Sequence, residues 1–82
     1  MKRTEFRDKW SEVKNLEDVL DTFTKETYEE TMNNTLGLLF AYGRAYAFAS
    51  EAERVICQTM QEFICDYRSV LRSEKYGYAW LN

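Results

Sequence analysis

An all-α fold, a small helical bundle, is what this sequence predicts, and three observations predict it. The first is a run from Tyr28 to Val70 in which steps of four and three residues alternate without a slip: Tyr28, Met32, Thr35, Leu39, Tyr42, Tyr46, Ala49, Glu53, Ile56, Met60, Phe63, Tyr67, Val70. Only Thr35 and Glu53 on it are not apolar, and a seven-residue apolar repeat of this kind marks helix with one seam buried against a partner. The second is the absence of proline from all 82 residues, so nothing forbids long helices. The third is a polar stripe opposite the seam, from Glu26 through Asn33, Arg44, Glu51, Gln58 and Glu62 to Ser73, in the same register throughout. A chain of this length is one domain, residues 1–82, with a modest core.

The elements follow in order. Phe6, Trp10 and Val13 have helical spacing, and Thr4 is a fair N-cap, which predicts a short helix over residues 4–14. Asn15 is placed as the next N-cap, with Glu17 and Asp18 in the first turn, where the helix dipole favours anions. Leu16, Val19, Leu20 and Phe23 then carry the apolar face of a second short helix that ends near residues 22–25. Thr24 is the expected cap of the long run.

That run reads as two helices, 25–49 and 51–73, or as one continuous helix. The unshifted register favours one helix, about 70 Å long at 1.5 Å per residue. So few residues remain to cover it that continuity implies a homodimer or larger oligomer. A break at Ala49–Ser50 is favoured by Ser50 with Glu53, the sequence of a capping box, and by Glu53 being the one charge on the seam. A third reading, an α+β fold, draws residues 38–49 as a β-hairpin turning at Gly43–Arg44. The many alanines and the continuing seam favour helix. Arg68, Arg72 and Lys75 suit a helix C-terminus, and Gly77 suits the position after it.

Chemistry is poorly provided for. There is no histidine, hence neither the commonest catalytic base nor the commonest metal ligand, and the three glycines are scattered rather than gathered in a phosphate loop. The two cysteines, Cys57 and Cys65, lie eight residues apart on one helix, about 12 Å by rise, too far for a disulfide. A reducing cytoplasm is the simpler setting. The expectations are therefore no enzymatic activity, no catalytic or metal site and no cofactor. No segment has the form of a signal peptide or a membrane span.

Two surfaces are candidate protein-binding sites. The segment from Glu12 to Glu30 sets seven acids against two lysines, a net −5 where the whole chain is −3. Glu17, Asp18, Asp21, Glu26, Glu29 and Glu30 would form an acidic face for a basic groove on another protein; the plain alternative is that acids gather in first helical turns because the dipole favours them. The aromatic tail, Tyr76, Tyr78 and Trp80, offers the side chains that dominate interface hot spots, or else finishes the core. Residues 31–43 carry no charge, as in helices buried at the centre of an assembly, and Ala41, Ala45 and Ala49 form a row that another helix can approach.

Size, acidity and surplus aromatics (16% of residues) point to a small protein-binding module. Such chains are common among accessory proteins of bacteriophages and mobile elements. The leading expectation is an inhibitor of a host nuclease or defence complex, of the anti-CRISPR or anti-restriction type, whose partner is a protein of a nucleic-acid-binding complex. The alternatives are a structural homo-oligomer, and a small nucleic-acid-binding regulator using the basic residues Arg3 and Arg7 of the first helix. Direct nucleic-acid binding is disfavoured by the acidic balance, with a pI of about 4.9.

Overall fold

In the computed structural model, residues 1–24 and 27–76 are described, with the side chains of residues 21–24 left aside. Four helices follow one another: α1 (Arg3–Lys9), α2 (Leu16–Thr24), α3 (Tyr28–Phe48) and α4 (Glu51–Tyr76). The long helices pack against each other as an antiparallel pair, and α1 lies on α4.

The repeat breaks at Ala49–Ser50. Ala49 leaves the helix with φ −85° and ψ 151°, and its N–H still donates to the Tyr46 carbonyl at 3.3 Å. Ser50 then opens α4: its carbonyl accepts from Arg54 N–H at 2.9 Å and its hydroxyl donates to Glu53 at 2.8 Å. Glu53 sits on the seam because it caps, and it is exposed. The continuous helix is thereby corrected: the longest extent of the molecule is 41 Å, close to the ~39 Å rise of α4 alone. The β-hairpin at 38–49 is corrected as well, since α3 runs through Gly43–Arg44 and no strand occurs among the described residues.

Four boundaries differ from the sequence reading: both ends of α1, the start of α3 and the end of α4. α1 stops at Lys9, and Trp10 and Val13 belong to turns; its N-cap is Lys2, not Thr4, and makes no side-chain cap. α2 starts where expected, with the Asn15 carbonyl accepting from Val19 N–H at 3.0 Å, but Asn15 has φ 62°. That is the left-handed region, which asparagine tolerates better than most residues. The cap of α3 is Thr27, not Thr24. Thr27 and Glu30 form a reciprocal capping box at 2.9 and 3.2 Å. The fourth helix continues to Tyr76, one turn past the expected 73.

The core lies at the end of the hairpin away from its turn. Phe6, Leu16, Leu20, Phe63, Ile64, Tyr67 and Val70 form one buried cluster. Phe6 is fully buried, with its ring centroid 5.2 Å from Phe63 and 5.8 Å from Tyr67. Around it, Trp10 donates its indole N–H to Asp66 at 3.0 Å, and Lys9 bridges Asp66 and Glu62 at 2.8 and 2.7 Å. Those two carboxylates raise the Lys9 pKa through their hydrogen bonds, Asp66 most. Thr35, the polar residue of the seam, is buried and satisfied. Its hydroxyl donates to the Thr31 carbonyl at 2.9 Å and accepts from the Arg68 guanidinium at 2.7 Å, which ties α4 to α3.

Candidate functional site

α1 and α2 have 7 and 9 residues, whereas α3 and α4 have 21 and 26. Two short helices cover only part of the long pair, and the seam beyond them stays open. Ile56 and Met60 continue the stripe of Phe63 by the i, i+4, i+7 rule, yet Ile56 and its neighbour Val55 are each 62% exposed.

Where the cover ends, an apolar groove forms. Leu38 and Tyr42 of α3 and Thr59, Met60, Phe63 and Ile64 of α4 make its floor and one wall; Trp10, Val13 and Val19 close it on the side of the short helices. Its volume is about 210 Å³. That is below the ~300–1,000 Å³ of small-molecule sites, and a 150 Å³ cavity takes one benzene ring. The groove is sized for one or two side chains of a docked segment.

Val13 also borders two hollows, one with Arg7, Ser11, Asn15, Leu16, Glu17 and Asp18, the other with Asp8, Lys9, Trp10, Ser11 and Glu12. Four carboxylates line these hollows with Arg7 and Lys9, and Lys14 follows Val13 in the chain; Arg7 pairs with Glu17, one of the four, at 3.2 Å, and Lys9 with Glu62 and Asp66.

The structure divides the acidic segment expected from the sequence. Glu17 and Asp18 line, with Val13, the hollow that adjoins the groove. Glu29 and Glu30 open α3 at the far end, where the Tyr28 ring meets Tyr76 edge-on at 6.3 Å. Along α4, Met60 and Tyr76 are about 24 Å apart by rise. Glu30 is also committed to its cap: the Thr27 backbone N–H, then the Thr27 hydroxyl, hold its carboxyl below the ordinary value. Side-chain positions for Asp21 and Glu26, and Tyr78 and Trp80 altogether, lie outside the described residues. Tyr76 is exposed and has Lys75 near its ring. Cys57 and Cys65 are free thiols, and among the described residues no three His, Cys, Asp or Glu side chains gather as a metal site.

Leu38, Tyr42, Ile56 and Met60 were not singled out by the sequence as site residues. One signal pointed to Tyr42, Ile56 and Met60: the seam has thirteen positions, more than two short helices can cover; Leu38 lies off the seam and carried no such signal.

No protein-family model matches the chain, and no curated protein or solved structure shows significant similarity to it. None of the described helices is long and apolar enough to cross a membrane.

Proposed function

We propose that this chain is a non-enzymatic protein-binding module that receives an amphipathic helix with basic flanks in the groove between α3 and α4. The observation that carries the reading is the exposed Ile56 one turn from Met60, where an apolar groove begins that adjoins hollows bordered by Asp8, Glu12, Glu17 and Asp18. An amphipathic helix docks by placing apolar anchors in such a groove, and the charges around it set orientation and on-rate. Glu12 and Asp18, in the hollows that share Val13 with the groove, favour lysine and arginine beside those anchors. Helices of that composition meet nucleic-acid phosphates in many proteins. Occupying one would keep nucleic acid away, so inhibition of a nucleic-acid-binding complex is the action this surface suits. The two free thiols fit a reducing, cytoplasmic setting.

The test uses a defined probe. In a Trp80→Phe background Trp10 is the only tryptophan, and it lines the groove. A 20-residue amphipathic peptide of Leu and Lys should shift its emission with micromolar affinity that weakens as salt rises. The matching Leu–Glu peptide should not bind. Ile56→Lys removes an apolar contact and places a cation at an exposed position one turn from Met60, so the fold is retained while Leu–Lys binding falls at least tenfold. Equal binding of the two peptides, or no binding by either, would refute the proposal.

A further inference from the structure

The opposite face of α3 carries a second uncovered repeat, which the groove does not use. Leu36, Phe40, Gly43 and Ala47 follow 4-3-4 spacing and line an open trough with Phe48, Arg44 and, from α4, Gln61 and Cys65. Phe40 is 64% exposed and Phe48 92%. With Leu36, these side chains present on the order of 400 Å² of apolar surface, taking ~200 Å² for a phenylalanine. That is about half of the ~800 Å² each partner contributes to a standard interface, and the flanking residues add to it.

Gly43 needs explaining. Glycine weakens the middle of a helix. The chain's own packing does not require it, because a Cβ there would meet only the Gln61 side-chain amide, at an ordinary 3.5 Å. Gly37, one residue after Leu36, has nothing within 4 Å. Glycine at an exposed helical position beside large apolar residues suits a backbone that another helix approaches closely.

We infer that the occupant is a second copy of this chain, docked by α3 on α3 in antiparallel fashion about a two-fold axis between Phe40 and Gly43. The sequence is self-complementary about that axis. Phe40 of one copy faces Gly43 of the other, and Leu36 faces Ala47, large against small in both pairs. An isologous interface makes each contact twice. Antiparallel α3 helices also oppose their dipoles; residues 31–43 carry no charge, and Arg44, which lines the trough, is the one charge each copy brings to it, on a long stem that lets its head stay in water. The peptide groove lies on the other side of the hairpin, so the dimer presents two of them. This inference does not depend on the proposed function.

Light scattering tests it. The wild type at 50 µM should have twice its 9.8 kDa chain mass. Phe40→Glu, a change at an exposed site, should return the mass to one chain while the circular dichroism spectrum and the Trp10 response to the Leu–Lys peptide stay unchanged, and the melting temperature should lose its dependence on protein concentration. Gly43→Leu is the second variant: it removes a helix-weakening residue and should raise the dimer dissociation constant at least tenfold with helix content kept. A monomeric wild type up to 500 µM overturns the inference and leaves the face to a different protein. A dimer that survives both substitutions overturns it too.

Discussion

Glu51→Pro separates a chain that turns at Ala49–Ser50 from one whose helix continues through it. Glu51 is the first residue of α4, and Ser50 before it holds the N-cap place, its carbonyl accepting the first helical bond from Arg54. Proline is favoured at a first helical position, where its missing N–H has no helical partner and its fixed φ suits the helix. Reduced freedom of the unfolded chain contributes about 0.4–1 kcal/mol to stability. Removing a carboxylate from the first turn costs about 0.3–1 kcal/mol. The two nearly cancel, so the variant should lie within about 1 kcal/mol of the wild type. In the middle of a continuous helix the same proline costs ~3 kcal/mol or more. For 82 residues at ~0.05–0.15 kcal/mol each, total stability is about 4–12 kcal/mol, so a loss of that size is plain in a urea titration. Circular dichroism at 222 nm against urea gives the difference. A loss of ~3 kcal/mol or more would refute the turn and, with it, the antiparallel pair.

Two further outcomes follow from the packing and the caps. Phe6→Ala empties a fully buried site between Phe63 and Tyr67 and should cost about 3–5 kcal/mol by urea denaturation, with α1, too short to persist alone, losing its place on α4. Glu30→Gln should lower stability at pH 7 and match the wild type in acid. The folded Glu30 pKa lies below the ordinary 4.5, so its contribution is fully present above 4.5 and is lost as pH falls through the folded value. Urea midpoints of both proteins across that range, converging at low pH, are the check.

Much of the fold was legible because the seam records burial directly. Phe63, Tyr67 and Val70 are buried as their spacing requires, and the pair Ser50–Glu53 marked the turn. The rest depended on distances the sequence does not carry. The cap of α3 is the exception: the Glu at +3 that completes a capping box follows Thr27 and not Thr24, a signal the sequence does carry. Val13 has the spacing of a helical residue after Trp10 but falls in a turn, since nothing extends α1 past Lys9. The acidic segment looked like one surface because its residues adjoin in sequence; the packing of α2 separates Glu17 and Asp18 from Glu29 and Glu30. The groove was hidden because it is created by what α1 and α2 fail to cover, and periodicity says which residues seek burial without saying how much cover exists.

On the proposed function, the groove beside Val13 takes a basic amphipathic helix. The most direct measurement is a backbone amide chemical-shift map of the chain titrated with the Leu–Lys peptide. Shifts should centre on Val13, Val19, Leu38, Tyr42 and Met60 and be absent with the Leu–Glu peptide. Shifts centred on Leu36, Phe40 and Ala47, or the same response to both peptides, would contradict it.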